Sequence, residues 1–218
     1  MSQHLRNEIE NLKKKILALG AIVENSVGLA VKSIENRDSE LAQRVIKGDS
    51  EIDRAEVELE EDCLKILALH QPVAIDLRFI IAVLKINNDL ERINDLAVNI
   101  AERAQFLKNN PPISIPFDFD GISSKTQWML RACLDSLVNF DSRLAREVCA
   151  ADDYVDSINR EMYNRVTDAI KARPDHVHIL IPYLSVSRYL ERIADHATNI
   201  SEDVIYMVDG VITRHNPD

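Results

Sequence analysis

From about Ser2 to Glu35 the apolar residues Leu5, Ile9, Leu12, Ile16, Leu19, Val23, Val27, Ala30 and Ile34 recur at intervals of three and four, with polar residues between them. That period predicts an amphipathic helix with one buried stripe. Asn36-Arg37-Asp38-Ser39 interrupts the period, and Ser39 is the predicted N-cap of the next helix. This second helix is predicted from Glu40 to His70, with Gly48 as its weak point. Gln71-Pro72 then marks a tight turn, because proline suits a helix start and disfavours helix in the residue before it. A third helix is predicted from Val73 to Lys108, completing a three-helix unit.

Residues 109 to 121, NNPPISIPFDFDG, carry three prolines, a glycine and no helical period, and read as a linker. The plan then repeats, with helices predicted over Ile122–Asn139, over Ser142–Lys171, and through a last segment ending near Gly210. Arg173-Pro174-Asp175 makes the matching turn. Pro182 requires the last helix to kink or to begin later. The tail TRHNPD is expected to be loose. The strongest sign of duplication is LERINDLAVNIAE at 90 to 102, which returns as LERIADHATNISE at 190 to 202 with nine of thirteen positions identical. The expected fold is all-α, two tandem three-helix bundles spanning 1–110 and 111–218.

Composition supports helices, since 5 glycines, 5% aromatics and 46% hydrophobic residues fit poorly with a turn-rich β architecture. With 36 acidic against 26 basic residues and a net charge of -10, the chain repels phosphate backbones, so no nucleic acid is expected as a direct ligand. MSQHLRNEIENLKKK lacks the apolar region of an export signal. Uncharged stretches such as FIIAVL and HILIPYLSVS fall well short of the roughly 20 residues that span a bilayer. The expectation is a soluble, cytoplasmic protein without membrane insertion. Cys63, Cys133 and Cys149 read as buried reduced thiols.

The chemistry lies in the repeated segment. Leu90, Ile93, Ala97, Ile100 and Ala104 form a core stripe, while Glu91, Asp95, Asn99 and Glu102 form a second stripe of oxygen-bearing side chains. In the second copy the oxygen stripe is Glu191, Asp195, Asn199 and Glu202, and a helical wheel places both oxygen stripes nearly opposite the apolar ones, hence exposed. Pro72 lies 19 residues after Asp53 and 19 before Glu91, and 23 from both Asp49 and Asp95. Antiparallel helices folded there bring Asp49, Asp53, Glu91 and Asp95 to one height. In the second half the midpoints between Asp156 and Glu191, and between Asp152 and Asp195, both fall between Arg173 and Pro174. Four clustered carboxylates need a counter-charge. An all-oxygen set suits a hard or borderline cation such as magnesium, calcium, manganese or iron. Arg92 and Arg192 are the alternative source of positive charge.

Several enzyme classes lack their residues. No phosphate loop, nucleophile elbow or Cys/His pair is present. The Glu-x-x-His pairs of di-iron bundles are missing from both LERI segments, and His196, directly after Asp195, points elsewhere. Of the remaining histidines, His176 and His178 sit near a turn and read as solvated.

The chain resembles the PhoU family of phosphate transport regulators along essentially its whole length. The resemblance rests on AQRVIKGDSEID at 42 to 53, HQPVAIDLRFI at 70 to 80, NDLERINDLAVNIAE at 88 to 102 and YLERIADHATNISEDVIYMVDG at 189 to 210. Each half carries two E(D)xxxD motifs, at 49/53 with 91/95 and at 152/156 with 191/195. The resemblance implies two tandem PhoU-like bundles with metal ions, iron or zinc foremost and manganese or magnesium next, on Asp49, Asp53, Glu91, Asp95, Asp152, Asp156, Glu191 and Asp195. It implies a non-enzymatic negative regulator linking the ATPase subunit of a phosphate ABC transporter to a phosphate-sensing histidine kinase, and a homodimer. Leu96 stands where many relatives have a histidine, which His196 retains; by resemblance the first site is the weaker. A metal-independent helical adaptor and a carboxylate-bridged metal enzyme remain the alternatives.

Overall fold

The computed structural model describes residues 3–114 and 118–210. Seven α-helices follow one another as α1 (Gln3–Glu35), α2 (Ser39–His70), α3 (Ala74–Lys108), α4 (Phe119–Asn139), α5 (Ser142–Cys149), α6 (Asp152–Ala172) and α7 (Val177–Asp209), with a 3-10 turn at Pro174–His176 before α7. No strand occurs among the described residues. Ile115, Pro116 and Phe117 of the expected linker and the TRHNPD tail lie outside the described residues.

Both halves use the same first corner. Arg37 takes the left-handed conformation (φ 51°) at the end of α1 and Phe140 (φ 53°) at the end of α4. The next residue closes the helix by a backbone bond, Asp38 N to Ser33 O at 2.9 Å and Asp141 N to Ser136 O at 2.9 Å. The same aspartates start the next helix. Asp38 accepts from the amides of Glu40 and Leu41 at 2.8 and 3.2 Å, and Asp141 from those of Arg143 and Leu144 at 3.0 Å each. Ser39 is therefore the first residue inside α2 and not its cap, because the longer carboxylate one position earlier reaches both amides.

Three further boundaries differ from the sequence pattern. Gly121 lies inside α4, not in the linker, because Asp118 caps the helix through the Gly121 amide at 2.9 Å. A Cβ at Gly121 would stand 2.2 Å from that carboxylate, which accounts for a glycine in a first turn. The single helix expected over Ser142–Lys171 is broken at Ala150–Ala151, and Asp152 and Asp153 fill the first turn of α6, where carboxylates favour a helix start. In α2, by contrast, the helix runs on through Gly48, one residue before Asp49. Pro182 lies within α7, which begins at Val177, so the helix starts before the proline, not after it.

α3 and α7, the two LERI helices, form the most extensive helix interface in the molecule. Leu90, Ile93, Ala97, Ile100 and Ala104 of α3 are buried, as are Leu190, Ile193, Ala194, Ala197 and Ile200 of α7. The alanines let the two backbones approach closely. α1 and α2 pack on α3, α4 to α6 pack on α7, and the buried side chains form one continuous core. α1 contains a window with mean hydropathy 1.4, long and apolar enough to cross a membrane by composition. The window includes charged residues, so the expectation for uncharged stretches stands, and half of the window is buried against the rest of the fold. Cys63, Cys133 and Cys149 are free thiols, and burial pushes the first up to about 12 and the last to about 11.

Candidate metal centres

Antiparallel packing of α2 on α3 sets the first four carboxylates side by side. Asn94 ties the helices together, donating to Asp49 Oδ1 at 2.8 Å while its own oxygen accepts from the Ser26 hydroxyl of α1 at 2.7 Å. Asp49 and Asp95 are near enough to repel one another across the helix pair. Asp49 feels the charge of Asp95, and Glu91 that of Asp53, the cross-helix pairing that equal spacing about Pro72 predicts. They are less exposed than the helical wheel implied, however. Of the eight motif carboxylates only Asp53 and Asp195 are exposed, and the other six are half-buried in the seams between helices. A wheel shows one helix, and the neighbouring helix covers the flank it leaves open.

Burial leaves these carboxylates short of charge compensation. The Asp49 carboxyl is pushed up by burial, then by Asp53 and Asp95, and the Asn94 hydrogen bond opposes the shift. Glu91 is pushed up by burial and by Asp95, with Arg92 opposing. Arg92 reaches Asp95 Oδ2 at 3.1 Å and Glu91 Oε2 at 3.3 Å. Glu91 Oε2 is nonetheless buried without a hydrogen-bond partner, so the second contact is an ion pair lacking hydrogen-bond alignment.

The second set, on α6 and α7, is more frustrated. Burial, Asp195 and Asp156 raise Asp152 to about 6, and the Thr198 hydroxyl at 3.4 Å gives only weak relief. Glu191 is raised by burial, Asp195 and Asp156, and Asp195 by burial and Asp156. Arg160 lies 3.6 Å from Asp156 Oδ2. Arg192 makes no ion pair here comparable to that of Arg92; it lowers Asp195 only through space. His196 points away from the carboxylates, as its place after Asp195 dictated. Its Nδ1 lies 2.8 Å from Asp89 Oδ1 of α3 and so joins the two halves.

The donor chemistry of both sets fits a hard or borderline cation: all oxygen, partly desolvated, mutually repelling, with one buried oxygen of Glu91 that has an ion pair but no hydrogen bond. Among the described residues no three His, Cys, Asp or Glu side chains converge as tightly as ligands around an ion do. Two participants were not singled out in the sequence. Glu56, one turn after Asp53, is raised by burial, Glu60 and Asp53, and accepts from Asn87 at 3.3 Å. Asn94 stood on neither stripe, and its role appears only when α1 and α2 flank α3. Asn99 turns back onto its own helix, bonding the Asp95 carbonyl at 2.9 Å.

The PhoU domain profile matches this chain twice, over residues 16–104 and 120–204. The chain belongs to the PhoU family. A Pseudomonas aeruginosa protein described as a phosphate-specific transport system accessory protein PhoU homolog is 37% identical over 216 residues, 99% of this chain and 89% of that one. The crystal structure of PhoU from Pseudomonas aeruginosa superposes with TM-score 0.91 at 36% identity, covering 94% of this chain and 99% of that chain. The phosphate transport system regulatory protein PhoU from Streptococcus pneumoniae gives TM-score 0.85 at 26% identity, covering 96% and 99%. The two profile matches each end within a LERI helix, α3 or α7, so the tandem repeat read from LERINDLAVNIAE and LERIADHATNISE is the PhoU repeat.

Proposed function

We propose that this protein is a cytoplasmic negative regulator of phosphate uptake, one that couples the ATPase subunit of a phosphate ABC transporter to a phosphate-sensing histidine kinase. Metal ions on its acidic ladders shape the docking surface, and the protein works as a homodimer and not as an enzyme. The full-length similarity to phosphate transport accessory and regulatory proteins supports the role. The observation that carries the metal reading is the pair of level, half-buried carboxylate ladders, each short of positive charge. Asp49, Asp53, Glu91 and Asp95 would hold one group of ions, and Asp152, Asp156, Glu191 and Asp195 the other. The ion adds positive charge that the nearby arginines, Arg92 in the first set and Arg160, Arg188 and Arg192 in the second, leave incomplete. Iron or zinc is favoured by family resemblance, with manganese or magnesium also suited to the oxygen donors.

Deleting the gene is expected to turn on phosphate-starvation transcripts in phosphate-rich medium; transcripts that stay silent overturn the regulatory role. Elemental analysis of protein purified without chelator is expected to find metal that an Asp95→Ala, Asp195→Ala variant has lost, and equal, negligible metal in both ends the metal reading. Partner capture unchanged in metal-free protein would favour an adaptor that needs no ion.

A further inference from the structure

Beside the second carboxylate ladder, α6 and α7 enclose an open groove of about 630 Å³. Its lining mixes the apolar side chains of Tyr163, Ile181 and Leu184 with the guanidiniums of Arg160, Arg188 and Arg192, and Glu191 and Asp195 of the ladder line it too. Such a concentration of guanidinium groups stands out in a chain of net charge -10. Among the described residues the guanidiniums of Arg188 and Arg192 make no hydrogen bond or ion pair, and they act on Glu191 and Asp195 only through space. Lying four residues apart on one helix, they repel each other, and the through-space attraction of these carboxylates offsets that repulsion without a direct contact.

The first half provides an internal control. In the duplicated plan Arg160 replaces Val57, and Arg188 replaces Asn88. Only Arg92 has a counterpart role, and it is turned onto Glu91 and Asp95. The helix pairing is thus repeated, while the arginine cluster belongs to the second half alone.

We propose that this groove binds a phosphoryl anion. Guanidinium forks match tetrahedral oxyanions in geometry and charge, and two of the three here are unengaged. Orthophosphate and a phosphate ester share this chemistry. The groove volume and the exposed ring of Tyr163, 61% accessible, favour an ester whose flat body lies against Tyr163, Ile181 and Leu184. Glu191 and Asp195, on the groove's own lining, oppose an anion, so binding strengthens when a cation sits on them, but the arginines make the contact.

The test is calorimetric titration of the full-length protein, freed of metal on a chelating resin, with ADP, orthophosphate and adenosine in parallel. Orthophosphate or ADP is expected to bind and adenosine to give no heat. Tighter binding of ADP identifies an ester as the source, and equal binding identifies free phosphate. An Arg188→Ala, Arg192→Ala variant, exposed and with an unchanged circular dichroism spectrum, is expected to weaken binding about ten-fold or more. No binding of either anion, binding equal in the variant, or binding that needs added metal and ignores the arginines would overturn the proposal. Because the titration runs without metal, its outcome is separate from that of the metal reading.

Discussion

The variant Asp152→Asn is expected to make the metal-free protein more stable at pH 7.5 and to bind metal less well. Burial, Asp195 and Asp156 hold the Asp152 carboxyl at about 6 in the folded chain, against 3.8 for an ordinary aspartate. A carboxyl with a raised folded value binds more protons folded than unfolded between those two pH values. Stability from this group is therefore full below about pH 4, is lost as pH rises towards 6, and stays lost above that. Asparagine keeps the shape and removes the charge. At pH 7.5 it should return on the order of 2 kcal/mol, after allowance for the partial burial of the site, and at pH 4 almost nothing. Raised Glu191 and Asp195 act in the same direction, so the parent should melt progressively lower from pH 4.5 to 7 in metal-free buffer. Added metal should oppose that fall, because ligand binding to the folded state stabilises it in proportion to occupancy. Thermal melts at pH 4 and 7.5, with and without metal, check each of these expectations. A metal-free Asp152→Asn variant that melts below its parent at pH 7.5 would show that the carboxylate is already compensated.

The largest loss of stability is expected from the core. Ile193 of α7 is wholly buried, on the helix that forms the broadest interface with α3. Ile193→Ala removes buried methylene and methyl groups and leaves a cavity that close-packed neighbours fill only in part, costing about 2 to 5 kcal/mol. For a chain of this size each kcal/mol lowers the melting temperature by about 2 to 4 °C. The two halves share one core, so the variant should still unfold in a single transition, displaced downwards. Denaturation followed by circular dichroism, with tryptophan fluorescence from Trp128 of α4 as a local probe, separates the outcomes. Two resolved steps, with only the Trp128 step displaced, would mean that the halves are thermodynamically independent.

Much of the fold was legible in one dimension. The 3.6-residue period of the apolar stripes set the extent of the first three helices, since burial of a stripe is what makes a helix of that period stable. Equal spacing about Pro72, and about Arg173-Pro174, set the level of the carboxylate ladders, because helix rise per residue is fixed. The break at Ala150–Ala151 was not legible: neither alanine is a breaker, and the start of α6 is marked only by Asp152 and Asp153. Gly121 misled in the opposite direction, as a capping aspartate three residues earlier outweighs the flexibility of one glycine.

By itself the sequence determined the class of fold and its duplication, which come from periodicity and counting along single helices, and its family, which comes from the motifs those helices carry. Only the tertiary structure decided how deeply those carboxylates are buried, which arginines are engaged, and that Asn94, Glu56 and the pair His196 and Asp89 belong to the arrangement. Those properties depend on which neighbouring helix covers which flank. Residues separated by 107 positions, as His196 and Asp89 are, meet only after α3 and α7 have packed together.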